Sequence, residues 1–214
     1  MTDDKISALP NATALAIADL YWAVVQDLGG TPDTNKSTGQ QLMDLVTPNG
    51  QLFGLKLSNN ATDPTNDIDI AAGTAKDSAN AAYMALVSGL TKRLDAAWAV
   101  GTNQGGLDTG AIANTTYHLW LIKRVDTGVV DVLFSASATS PTMPANYTLK
   151  RRLGSIVRVA GVINPFIQYD DLFLLTSPVV DVNVSTLGTS STTYTLASIP
   201  TGIVAKAIMT AFVY

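Results

Sequence analysis

Side chains able to do acid–base or nucleophilic chemistry are few in this chain, and they are scattered. His118 is the single histidine in 214 residues, cysteine is absent, and every one of the 17 acidic residues is an aspartate. His118 lies inside Thr-Thr-Tyr-His-Leu-Trp-Leu (115–121), where an imidazole among aromatic neighbours is expected to pack and not to act as a general base. A Ser-His-Asp triad has no fixed order along a chain, but no Gly-x-Ser-x-Gly elbow accompanies this histidine. Catalysis is therefore not expected. Aspartates gather in Asp-Pro-Thr-Asn-Asp-Ile-Asp (63–69) and at Asp170-Asp171. Calcium takes six or more oxygen ligands, yet the first cluster lacks the ligand spacing and terminal glutamate of an EF-hand. Asp and Asn are also the ordinary residues of turns. A turn is expected there, with neither metal nor cofactor.

Three further groups invite a binding role. Gly-Thr-Asn-Gln-Gly-Gly-Leu-Asp-Thr-Gly (101–110) is glycine-rich, but it lacks the lysine of a P-loop and no helix N-terminus follows to receive a phosphate. A flexible loop is expected. Lys150-Arg151-Arg152, with Arg158 nearby, is locally basic, whereas the whole chain has a net charge of −4 and a pI near 4.7. That balance disfavours nucleic acid as a partner and predicts a solvated or ion-paired loop. Trp22, Trp98 and Trp120 would stack on a host glycan if exposed; core positions are expected instead.

The elements that must carry these groups are mostly strands. Tyr-Trp-Ala-Val-Val-Gln (21–26) is rich in aromatic and β-branched residues and reads as a strand. Residues 27–35 form a Gly/Pro/Asp loop, and 37–46 a short helix opened by a Ser37–Gln40 capping box. One strand and one helix can hardly bury a core, so residues 1–47 are expected to need a partner. From 48 to 176 the chain reads as many short strands: 52–57, 68–70, a hairpin of 115–125 with 129–135 around Asp126-Thr127-Gly128, 152–163, and a short pair at 166–168 and 171–175. The alanine-rich stretch 74–99 fits neither period well. Strands at this spacing predict a β-sandwich, jelly-roll-like or barrel domain. Residues 177–214 are expected to form a further β region, with strands at 179–184, 193–196 and 205–214. Its apolar end, Ala-Phe-Val-Tyr, implies pairing with another chain or continuation into a further domain.

Composition points to assembly. Apolar residues make up 47% and charged residues 14%, against roughly 25% charged in an average domain. No apolar run reaches the ~20 residues of a membrane-spanning helix, and Met-Thr-Asp-Asp-Lys-Ile-Ser-Ala-Leu-Pro is not a secretory leader. Neither membrane insertion nor export is expected, and the lack of cysteine suits a protein made in a reducing cytoplasm.

Two stretches carry a resemblance. Ile-Ser-Ala-Leu-Pro (6–10), the Ala/Thr stretch after it, Trp-Ala-Val-Val-Gln (22–26) and Ser-Thr-Gly-Gln-Gln-Leu-Met-Asp-Leu-Val (37–46) together resemble the N-terminal segment of phage tail fibres, tailspikes and head fibres. Where those proteins commonly have Gly-Thr and Lys-Thr, Ala18-Asp19 and Asn35-Lys36-Ser37 stand here. The second stretch joins Ala-Trp-Ala-Val-Gly-Thr-Asn-Gln-Gly-Gly-Leu-Asp-Thr-Gly (97–110), Val-Asp-Thr-Gly-Val-Val-Asp-Val-Leu-Phe-Ser (125–135) and Arg-Arg-Leu-Gly-Ser (151–155). It is similar to a domain of phage tail and fibre proteins. The resemblance implies a virion structural protein of a tailed bacteriophage, assembled in the host cytoplasm, homotrimeric, and bound to other tail proteins. A head fibre or decoration protein of the capsid is the alternative within that class, and a host-glycan-binding module is the alternative outside it. By the same resemblance the attachment residues are Ile6, Leu9, Pro10, Leu15, Leu20, Val24, Val25, Leu42 and Leu45.

Overall fold

The computed structural model describes residues 22–25, 34–37, 39–185 and 188–211, the first two stretches by their backbone alone. The chain is mainly β and divides into two units, residues 1–47 and 48–214. In the first, β1 (Trp22–Val25) pairs antiparallel with β2 (Thr34–Ser37), Trp22 opposite Ser37 and Val25 opposite Thr34. The loop expected through 27–35 therefore ends early, and the described residues of this unit hold two strands where one was expected. Thr-Asn-Lys-Ser has no apolar alternation; a ladder partner makes it a strand. Helix α1 (Gly39–Val46) follows. Ser37 belongs to β2, so the helix starts two residues later than the capping-box signal predicts.

The second unit holds thirteen strands among the described residues: β3 (Leu52–Gly54), β4 (Leu57–Asn59), β5 (Asp67–Ile70), β6 (Gly73–Lys76), β7 (Tyr83–Leu86), β8 (Leu90–Ala97), β9 (Gln104–Leu107), β10 (Thr116–Arg124), β11 (Val130–Ser135), β12 (Tyr147–Val159), β13 (Val162–Ile163), β14 (Phe166–Tyr169) and β15 (Leu172–Leu175). Eight of them form one sheet in the order β13-β12-β10-β11-β9-β8-β5-β4; β3-β6-β7 and β14-β15 are smaller sheets. The large sheet curls until its edges approach. Ile163 N–H of β13 donates to the Thr65 carbonyl, between β4 and β5, at 3.0 Å. Beside β4, the Gln168 side-chain oxygen accepts from Leu57 N–H at 2.7 Å, and the Asn59 side-chain oxygen accepts from Phe166 N–H at 3.1 Å. The result is close to a barrel.

Local chemistry explains the main turns. The expected hairpin is β10–β11, His118 opposite Ser135 and Lys123 opposite Val130. Gly128 takes φ +73° at its turn, a conformation open to glycine without cost. The expected strand 52–57 is broken in two. Gly54 and Leu55 both have positive φ, and Leu55 N–H leaves the ladder to bond Ala72 O at 3.2 Å. The chain thereby passes from the three-stranded sheet into the eight-stranded one.

The flexible loop expected at 101–110 is corrected. Its centre is β9, which runs parallel to both β8 and β11 with Gly105, Gly106 and Leu107 buried. These glycines are there for close packing: a Cβ on Gly106 would lie 2.7 Å from a Phe134 ring carbon.

Strand β10 is covered on both faces. Tyr117, Leu119 and Leu121 join Leu57, Ile68, Leu94, Val132, Phe134 and Ile156 in the enclosed core, while Trp120 and Ile122 form a second cluster with Leu133 and Tyr147. Part of the outer cover comes from the C-terminal stretch. Thr201 N–H donates to Thr116 Oγ1 at 2.9 Å, and a Cβ on Gly202 would lie 3.5 Å from His118 Nε2. The described residues from 176 to 211 contain no strand, so the strands expected at 179–184 and 193–196 are not formed, nor is the described part of 205–214. Alternation gives a segment two faces, but a strand also needs a ladder partner. Here Asp181 accepts hydrogen bonds from the backbone and hydroxyl of Ser198 instead.

Candidate functional site

Taken one by one, the chemistry-bearing side chains hold the fold together. His118 is buried, with Nδ1 2.7 Å from Ser155 Oγ. Burial, assisted by the Arg152 charge, pushes its pKa below the ordinary value, so the ring is neutral at pH 7. Among the described residues no carboxylate bonds that ring, and the Ser–His contact lacks the orienting acid of a triad.

The 63–69 cluster is a turn only through Asn66; Asp67 and Asp69 lie on β5, against the turn expected. Asp63 accepts from the backbone N–H and hydroxyl of Thr65 at 3.0 and 2.5 Å and from Asn66 N–H at 3.3 Å, which holds its carboxyl below the usual range. Asp69 accepts from the Asn60 amide and the Thr91 hydroxyl at 2.8 and 2.6 Å. Among the described residues no three His or Asp side chains converge so as to hold a metal ion. Asp67 is the strained member. One of its oxygens is buried without a hydrogen bond, and burial, then the charges of Asp63 and Asp95, push its pKa up to about 6 against the pull of Arg93. A carboxyl whose folded pKa exceeds its unfolded value binds more protons when folded. Stability should therefore rise as pH falls from about 6 towards 4, and Asp67→Asn should gain about 1 kcal/mol at pH 7, solvent screening having trimmed the full effect. Urea denaturation at pH 7 and pH 5 measures this; equal stability of variant and parent at pH 7 would refute it.

Lys150, Arg151 and Arg152 lie on β12, not on the loop expected, and among the described residues none is in an ion pair. Arg151 donates to Gly50 O at 3.0 Å and Arg152 to Ala138 O at 2.9 Å, while the Lys150 ammonium sits 5.5 Å over the Trp120 ring. They tie neighbouring loops to the strand. Trp120 is itself buried and donates to Ser137 O; Trp98 is half-buried, donates to Val132 O and meets Tyr147 edge-on at 5.1 Å. Neither offers a bare ring to a sugar. Two adjoining depressions, of about 480 and 450 Å³, share Gly89, Leu90 and Thr102. Apart from Lys56 and Asp69 in the second, their linings carry no ionisable side chain.

Sequence reasoning missed the most enclosed charges altogether. Lys92 on β8 and Asp131 on β11 pair at 2.9 Å with side chains 0% and 1% exposed. Burial lowers the Lys92 pKa, and the bond and charge of Asp131 oppose it. A second missed group is Asp77. It lies in the β6–β7 turn and accepts from the backbone N–H of Ala79, Ala81 and Ala82. A lysine between a threonine and an arginine and an aspartate before a serine give no local signal of burial.

Of the residues expected to attach the chain, Ile6, Leu9, Pro10, Leu15 and Leu20 lie outside the described residues, and Val24 and Val25 are the last two residues of β1. Leu42 and Leu45 stand one turn apart on α1 and are exposed, Leu45 at 82%. Met43 and Val46, also exposed, were not anticipated and extend the same apolar surface. No side chain of the helix is buried, though Gln40 and Asp44 bond one another at 2.6 Å. Leu45 and Val46 are mostly in water, at 82% and 59%, whereas Leu42 and Met43 are about a third exposed, so the helix leaves part of its apolar surface uncovered among the described residues. Comparison with known families, curated proteins and solved structures found no match for this chain.

Proposed function

We propose that this chain is a virion structural protein of a tailed bacteriophage, a tail-fibre or tail-appendage protein that docks onto the particle through residues 1–47. The observation that carries the reading is the exposed apolar side chains of α1, Leu45 and Val46 above all, with Leu42 and Met43 about a third exposed beside them, in a unit distinct from the β unit. Such a surface gains about 25 cal/mol for each Å² it buries on a partner. The likeness of residues 6–46 to fibre attachment segments says what that partner is: another protein of the virion. His118, the Asp63 turn and the basic residues of β12 each bond to neighbouring parts of the fold, which fits a structural role.

Removal of residues 1–47 tests the reading. The remaining chain should keep its β circular-dichroism spectrum and cooperative melting, because all the described core residues of the β unit lie in the part retained. Its incorporation into particles should drop at least about tenfold, the loss of 1.4 kcal/mol or more of docking energy. Normal incorporation of the truncated chain would overturn the proposal.

A further inference from the structure

The C-terminal stretch crosses the outer face of β10 on a narrow footing. Among the described residues from 177 to 211, the hydrogen bonds that reach the strands all join Thr201 to Thr116. They run from the Thr201 N–H and hydroxyl to Thr116 Oγ1, at 2.9 and 3.1 Å. The bonds of Ser198 to Asp181 stay within the stretch. Gly202, next along, lies against the ring of His118. A Cβ added to it would stand 3.5 Å from Nε2, 3.9 Å from Cε1 and 3.2 Å from Cβ of Ala138.

The imidazole, 1% exposed, therefore has two unequal neighbours. At Nδ1 stands the Ser155 hydroxyl, which can accept or donate. At Nε2 stands the glycine, and among the described residues that nitrogen has no hydrogen-bond partner. The charge that acts on the ring is positive: Arg152 on β12, whose guanidinium also bonds Ala138 O at 2.9 Å. Ser135 and Ser155, opposite His118 on β11 and β12, are neutral, as is Thr116 on β10. The stretch itself brings Asp181, engaged with Ser198, and the exposed Lys206. A second proton would place an imidazolium beside Arg152 with one N–H turned towards carbon. Moving Gly202 aside admits water and relieves both. We propose that His118 and Gly202 form a pH-sensitive clasp, which holds Ser198–Gly202 on β10 at neutral pH and releases it when the ring takes up a proton. Burial and Arg152 keep the ring's pKa below its ordinary value while the clasp is shut, so the released state binds more protons. Closure weakens as pH falls below about 6.5, by up to about tenfold for each pH unit. The inference concerns the β unit and does not depend on particle attachment.

Hydrogen–deuterium exchange of the full-length chain, corrected for the intrinsic effect of pH, reads the clasp at the Thr201 amide. Protection across 198–202 should fall at least about tenfold between pH 7.5 and 4.5, while that of 119–122 in β10 persists. His118→Gln cannot take up the proton and should hold the protection of 198–202 constant over the same range. If that variant fails to fold, the parent alone decides. Its single histidine gives one imidazole signal by NMR, and the titration of that signal must share its midpoint with the loss of Thr201 protection. Protection unchanged with pH, equal loss in His118→Gln, two separate midpoints, or β10 losing protection in the same step would overturn the proposal.

Discussion

Asp131→Ala should cost the β unit about 3–5 kcal/mol, the usual penalty for removing one partner of a buried ion pair. The size follows from what the carboxylate holds. One oxygen takes the Lys92 ammonium at 2.9 Å and Val132 N–H at 2.6 Å; the other accepts from Gly101 N–H at 2.7 Å. Without it, Lys92 keeps the Ala99 carbonyl at 2.6 Å and the Trp98 ring at 5.4 Å. Its charge then has no counter-charge in a site that excludes water. Two backbone N–H groups lose their acceptor as well, each worth about 1–3 kcal/mol when buried. Lys92 on β8 and Asp131 on β11 stand on either side of β9 in the sheet, so the pair also clamps the segment that precedes β9. Chemical denaturation monitored by tryptophan fluorescence measures the change. A loss below about 1 kcal/mol would mean that the pair behaves as a solvated surface bridge.

Gly105→Ala should be comparably severe, about 4 kcal/mol or outright failure to fold, and worse than Gly106→Ala. Both residues are buried in β9, but their surroundings differ in kind. A Cβ on Gly105 would overlap the Ala97 carbonyl oxygen and lie 2.7 Å from the Ala96 oxygen, which are backbone atoms fixed by the β8–β9 contact. A Cβ on Gly106 meets the edge of the Phe134 ring at 2.7 Å, and a side chain yields where a backbone cannot. The Ala99 N–H to Gly105 O bond, 2.9 Å long, would be among the first lost. Thermal melts of the two variants test the ranking; an inverted order would show that β8 moves more readily than Phe134.

The residues behind these two predictions show where sequence reading runs out. The hairpin around Asp126-Thr127-Gly128 was legible because its turn chemistry and its flanking β-branched runs agree. So was the pair around Tyr169-Asp170, although β15 begins one residue later than predicted. Of the apolar residues of α1, Leu45 is largely in water at 82% and Leu42 is about a third exposed. Gln104–Leu107, by contrast, has the composition of a loop and the position of a central strand. Glycine reports only that a backbone is unrestricted; whether the freedom serves flexibility or close approach depends on what packs against it. Val179–Val184 is the converse case, strand-like in alternation and without a ladder.

The sequence by itself determined the mainly β character of the chain, its tight hairpins and the want of thiol or glutamate chemistry, since these follow from residue type and short-range pattern. The tertiary structure decided which segments find ladder partners, which charges are enclosed and which apolar faces stay bare. Pairing and burial join residues far apart in the chain, as Lys92 and Asp131 do, and no window of neighbouring residues contains that information.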